Sequence, residues 1–111
     1  MTELVDAAYR PLGPCDAIAR EAVLPFYLDD LKLRVAVARV AEHLYAFEDL
    51  CPCAEPPCPL SGGLLSGTTI MCQCHGSRFD VRTGAVVDGP ATEGLRTLEV
   101  REVDGRVEIR A

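Results

Sequence analysis

Residues 72–80 read Cys72-Gln73-Cys74-His75-Gly76-Ser77-Arg78-Phe79-Asp80, and upstream lies a second cysteine run, Cys51-Pro52-Cys53-Ala54-Glu55-Pro56-Pro57-Cys58-Pro59-Leu60-Ser61. Each run brings soft or borderline donors together within a few residues. Thiolate and imidazole are the ligands of zinc and of iron–sulfur centres. Two such loops can clamp a metal centre between them. Gly76, next to His75, lets the backbone turn tightly so that its amide can approach a metal-bound sulfur. The spacing therefore points to a metal site, built from Cys51, Cys53, Cys58, Cys72, Cys74 and His75. Of the six cysteines only Cys15 stands apart, and it reads as a thiol without a role.

Outward from these loops the local signal is strand. Leu33, Val35 and Val37 alternate with Arg34, Ala36 and Ala38, the period of a half-buried strand. Leu44 to Phe47 follows closely and is expected to pair with it as a hairpin, with His43 in the turn as an ordinary exposed histidine. Leu98 and Val100, then Asp104-Gly105, then Val107 and Ile109, read as a second hairpin, because Asp-Gly supplies the positive φ angles of a tight turn. Tyr27 to Asp30 and Thr69 to Cys72 are shorter strand candidates. A brief helix is expected over Ala17 to Val23, ended by Pro25. Between Cys51 and Gly67, Pro52, Pro56, Pro57, Pro59, Gly62, Gly63 and Gly67 make an irregular stretch whose length is unusual unless it serves function.

The chain has 111 residues and is read as one domain, 1–111. Aromatic residues are 5% with no Trp, so the core rests on aliphatic side chains. A formal net charge of −6 disfavours nucleic acid and anionic lipid and suits a basic protein partner, or serves solubility alone. No apolar run reaches the roughly 20 residues of a membrane helix. The N-terminal residues lack the pattern of a signal peptide, so a cytoplasmic location is expected. There cysteines read as metal ligands or catalysts rather than as permanent disulfides. No nucleotide-binding glycine pattern and no nucleophile motif is present, which argues against an enzyme.

The stretch from Leu44 to Ala91 resembles a Rieske iron–sulfur domain. Such domains carry Cys-x-His in a first box and Cys-x-x-His in a second. Cys72 and His75 match the second box, and Phe79-Asp80-Val81-Arg82-Thr83-Gly84 followed by Gly89-Pro90-Ala91 continues the pattern. The resemblance implies an all-β fold, an antiparallel β sandwich with a small loop-built cluster-binding subdomain at about residues 50–80. It implies a [2Fe–2S] cofactor, with the Gly89-Pro90 segment closing over it as a third loop. The first box departs from the pattern: Cys53 stands where the family has His, and the loop is longer than usual. Carried over residue by residue, the ligands are Cys51 and Cys72 on one iron and Cys53 and His75 on the other. Sets in which Cys58 or Cys74 replaces Cys53 stay open. Respiratory members of the family also join one extra cysteine of each box in a disulfide. Cys74 matches that position and Cys58 matches it approximately, so a Cys58–Cys74 bridge is a further implication.

The resemblance implies a soluble electron carrier, serving a reductase and a terminal oxygenase or a similar acceptor. His75 would be the ligand on the exposed side. Ser77 matches a serine that donates a hydrogen bond to a cluster sulfide, while Phe79 stands where high-potential members have Tyr and lacks the hydroxyl donor. A thiolate in place of an imidazole adds negative charge, so a lowered potential is expected. From the donor set alone, a structural zinc domain and a thiol-based redox sensor are the rival readings.

Overall fold

The computed structural model describes residues 9–52 and 58–110. Among them are ten strands: β1 (Tyr9–Pro14), β2 (Ala22–Leu28), β3 (Leu33–Val40), β4 (His43–Glu48), β5 (Leu64–Ser66), β6 (Thr69–Met71), β7 (Arg78–Asp80), β8 (Val86–Asp88), β9 (Thr97–Val103) and β10 (Arg106–Arg110). They form a six-stranded sheet in the order β1-β10-β9-β4-β3-β2 and a four-stranded sheet in the order β5-β6-β7-β8. Every pairing is antiparallel. The all-β expectation holds.

Two hairpins carry the larger sheet. β3 and β4 turn through Ala41, at φ 55°, and β9 and β10 turn through Asp104 and Gly105, at φ 52° and 76°. In the β9–β10 turn, positive φ at both central residues is the geometry that matches the twist of the flanking strands, and Asp-Gly adopts it at little cost. His43 opens β4 opposite Val40 instead of lying in the turn, and it remains exposed. The sheet curls until its edges approach. Arg10 on β1 forms an ion pair with Asp30 in the β2–β3 turn, and a Cβ on Gly13 would lie 3.2 Å from the Phe26 ring.

Three local expectations are corrected. The helix expected over Ala17 to Val23 is a single 3-10 turn, Cys15–Ala17, after which the chain enters β2 at Ala22. Glu21, at φ 57°, breaks any helical path, and β2 recovers its hydrogen bonds from β3. Pro25 is accommodated because β2 is an edge strand. The strand candidate at Tyr27 to Asp30 is the end of that same β2, and Asp29 and Asp30 belong to the turn. Finally, β3 is not half-buried: Val35, Ala36, Val37 and Ala38 are all fully buried.

The reason is that β3 separates two cores. Val35 and Val37 face one formed with Ile18, Leu33, Val107 and Ile109. Ala36 and Ala38 face the other, which holds Phe47, Leu60, Ile70, Phe79 and Val81 together with Cys51 and Cys72. The small alanine side chains let the second core, which reaches into the smaller sheet, pack directly on the strand.

Candidate metal centre

Both cysteine loops spring from strand ends. The first leaves β4 at Glu48, passes Asp49 and Leu50, and reaches Cys51. Its return is marked by Cys58, whose carbonyl accepts a hydrogen bond from the Cys51 amide at 2.8 Å. A 3-10 turn, Leu60–Gly62, then leads into β5. The second loop joins β6 to β7. It is closed by Cys72 N–H donating to the Ser77 carbonyl at 2.8 Å and Gly76 N–H donating to the Cys72 carbonyl at 3.0 Å. Gly76 sits at φ 79°, a conformation glycine adopts without the Cβ penalty.

The donors divide by depth. Cys51 and Cys72 are fully buried and belong to the same apolar core, whereas His75 is exposed at the loop tip. Two buried thiols below and one exposed imidazole above suit a two-iron centre, with one iron inside and one at the surface. Cys58 and Cys74 are joined in a disulfide linking the two loops. Their sulfurs are thereby committed to each other. Cys53 lies outside the described residues.

The third loop is tied to the second. Ser77 is fully buried, and its hydroxyl accepts a hydrogen bond from the Ala91 amide at 3.0 Å, fixing the chain just after the cis Gly89–Pro90 peptide. Gly84, at φ 83°, anchors the far side, where its carbonyl accepts from Leu95 N–H at 2.7 Å. Asp80, at the end of β7, accepts from the Arg82 guanidinium at 2.9 and 3.1 Å and from the Arg82 amide at 2.9 Å. The Arg82 side chain holds the Asp80 carboxyl below its ordinary value, against a smaller opposing effect of burial.

One element escaped the sequence reading. Asp49 is fully buried and receives Arg34 Nε at 2.8 Å, Ser61 N–H at 2.6 Å and Ser61 Oγ–H at 2.7 Å. Its own amide donates to the Arg34 carbonyl at 2.8 Å. This carboxylate pins both ends of the first loop to β3. The signals were there: an acid two residues before Cys51, an Arg inside an apolar strand, and a Ser at the loop's return.

Cys15 lies elsewhere, buried beside a cavity of about 480 Å³ bordered by Arg20, Arg39 and Glu102. Arg39 donates to the Cys15 carbonyl at 2.9 Å, to Cys15 Sγ at 2.6 Å and to the Ile18 carbonyl at 2.8 Å. Its surroundings share no residue with the two metal loops.

An antiparallel two-sheet scaffold presenting buried thiols and an exposed imidazole on two bridged loops fits a small iron–sulfur protein. The chain belongs to the Rieske family: the Rieske [2Fe-2S] domain matches residues 11–99. It is 34% identical over 109 residues to the anthranilate 1,2-dioxygenase ferredoxin subunit of Burkholderia cepacia, covering 98% of this chain and 97% of that protein. Among solved structures it is similar to the ferredoxin of carbazole 1,9a-dioxygenase from Nocardioides aromaticivorans IC177, with TM-score 0.81, 25% identity, and coverage of 91% of this chain and 95% of that one. It is likewise similar to the Sphingomonas yanoikuyae B1 ferredoxin, with TM-score 0.83, 26% identity, and coverage of 92% and 97%. The protein is a ferredoxin-type electron carrier whose cofactor is a [2Fe–2S] cluster.

Proposed function

We propose that this protein passes single electrons from a reductase to a terminal oxygenase or similar acceptor, on a cluster held by Cys51, Cys53, Cys72 and His75. The observation that carries the ligand set is the division of donors by depth, buried Cys51 and Cys72 against exposed His75. The Cys58–Cys74 bridge supports Cys53 as the remaining donor, since it occupies the two rival sulfurs. The partner class follows from relatives that are ferredoxin components of dioxygenase systems and from a similar ferredoxin solved in complex with the oxygenase of carbazole 1,9a-dioxygenase.

The cluster supplies the one-electron couple. The chain's own residues set where and how easily the electron moves. His75 brings one edge of the site to the surface, where a partner docks, and its second ring nitrogen can exchange a proton with solvent. A thiolate from Cys53 in place of an imidazole adds a negative charge and favours the oxidised form. The potential then falls between the two-imidazole class, about −150 to +300 mV, and the all-thiolate class at roughly −400 mV. Phe79, packed in the core without a hydroxyl, pulls in the same direction.

We place this carrier in the cytoplasm and treat residues 1–111 as one functional unit, with the cluster-binding part at about residues 50–80. Among the described residues no helix is long and apolar enough to cross a membrane. The deciding experiment is electron paramagnetic resonance and potentiometry of the dithionite-reduced protein beside Cys53→Ser. A reduced [2Fe–2S] signal that shifts or vanishes in the variant, with a wild-type midpoint below zero, is expected. An unchanged signal overturns Cys53 as a ligand, and colourless protein overturns the cluster.

A further inference from the structure

The smaller sheet has faces of different kinds. On its inner face Leu65, Ile70, Phe79 and Val86 stand in register and pack into the core that holds Cys51 and Cys72. Its outer face is turned to solvent. There the row farther from the metal loops, Ser66–Thr69–Asp80, is polar, as a solvated sheet face ordinarily is. The nearer row is not. It reads Leu64–Met71–Arg78–Asp88, and the irregularity in the β7–β8 pairing adds Val87 beside it. Leu64 is 60% exposed and Val87 58%, Met71 is half-buried, and Arg78 and Asp88 are exposed. One exposed apolar side chain needs no explanation, but a row of them along one edge of an otherwise polar face does.

Each member of that row adjoins a loop of the centre. Leu64 follows the 3-10 turn at the return of the first loop, Met71 precedes Cys72, Arg78 follows Ser77, and Asp88 precedes the Gly89–Pro90 peptide. The row is held firmly, since β5 lies so tight against β6 that a Cβ on Gly63 would collide with the Met71 carbonyl. The Arg78 side chain has no ion-pair or hydrogen-bond partner among the described residues, and Asp88 stands beside it in register without closing a bridge. In a chain of net charge −6, Arg78 is a free cation set between apolar side chains.

We propose that this row is a docking stripe for the electron acceptor, an oxygenase-type protein whose face offers a carboxylate to Arg78 and apolar side chains to Leu64, Met71 and Val87. This rests on the partner class proposed above. It commits to the acceptor because a similar ferredoxin is solved in complex with its oxygenase. Arginine is a frequent anchor of protein interfaces, and its planar fork reads a carboxylate in fixed geometry. With the chain acidic overall, Arg78 does not steer the partner from a distance. It fixes the register of the contact at short range, and the apolar neighbours exclude water around it. The stripe supplies selectivity, whereas His75 at the tip supplies the way out for the electron.

The test mixes the reduced protein anaerobically with anthranilate 1,2-dioxygenase of Burkholderia cepacia, freed of its own ferredoxin subunit and oxidised. Reoxidation of the [2Fe–2S] cluster is followed by stopped flow at rising dioxygenase concentration. Arg78→Gln and the double variant Leu64→Ser/Val87→Ser should each raise the half-saturating concentration about tenfold. Arg78→Lys should recover only part of the loss, because lysine lacks the fork. Ser66→Ala, on the polar row of the same face, should match wild type. Midpoint potential and melting temperature are read on every variant, so that changed driving force or lost folding is separated from lost docking. Unchanged half-saturating concentrations, or a rise fully accounted for by potential or folding, overturn the stripe. Slower reduction of the variants by a flavin reductase, with reoxidation unchanged, assigns the stripe to the donor and overturns the acceptor as its occupant. A wild-type protein that keeps its [2Fe–2S] signal but passes no electron to the dioxygenase refutes the acceptor reading itself, before any variant is compared.

Discussion

Replacing Asp49 with alanine removes an acceptor that three donors converge on at 2.6 to 2.8 Å. The partners do not suffer equally. The Arg34 side chain is 39% exposed and recovers water, so its charge is not stranded. The Ser61 amide is held inside the turn and loses its acceptor outright. An unmade buried hydrogen bond costs roughly 1–3 kcal/mol, and breaking a buried ion pair roughly 3–5 kcal/mol. With Arg34 partly rehydrated, Asp49→Ala should cost about 3 kcal/mol. For a domain of this size that lowers the melting temperature by roughly 12–24 °C. Asp49→Asn keeps an acceptor for the Ser61 amide and should lose less than half as much. Glu99→Ala, which removes an exposed ion pair to Arg110 at 3.0 Å, is the control and should change stability by less than about 1 kcal/mol. Urea denaturation with an unchanged slope measures all three. An Asp49→Ala protein within about 0.5 kcal/mol of wild type would refute the argument that this carboxylate anchors the first loop.

Ser77→Ala leaves the buried Ala91 amide without its 3.0 Å acceptor, so stability should fall by about 1–2 kcal/mol. If the serine hydroxyl also donates toward the cluster, as the family resemblance implies, the midpoint potential should fall as well; an unchanged potential would leave Ser77 a purely structural tie, and potentiometry beside urea denaturation separates the two. Asp80, held low by Arg82, favours folding at every pH above the ordinary carboxyl value of 3.8, and that contribution disappears only as acid drives the pH below it. Carboxyl NMR should show the Asp80 midpoint rising toward the ordinary value in Arg82→Ala, and a stationary midpoint would rule the pair out as the cause.

The parts legible in the sequence are those governed by short-range rules. Asp104-Gly105 declares its turn because few residues tolerate positive φ, and β3 begins and ends where its apolar run does. The second box, from Cys72 to Ser77, was readable because chemistry restricts which residues can stand there. What stayed hidden depends on partners distant in the chain. The strands β5, β7 and β8 have three residues each, too few to show a period, and exist only by pairing with β6 and each other. The burial of both faces of β3 required knowing that a second core lies behind it. Asp49 and Ser61, 12 residues apart, look like ordinary loop polarity until the fold brings them together.

The depth at which Cys51 and Cys72 sit has a dielectric consequence. When an electron arrives, every mobile dipole nearby must reorient, and the energy of that rearrangement slows transfer. Beneath these two sulfurs lie Phe47, Leu60, Ile70, Phe79 and Val81, side chains with almost nothing to reorient, close-packed against Ala36 and Ala38. His75, by contrast, is exposed to solvent. The response to charge is therefore lopsided, stiff below and fluid above. A partner docking over His75, as proposed, and displacing solvent there would remove most of what remains to be rearranged, so contact itself would prepare the protein for the electron's passage.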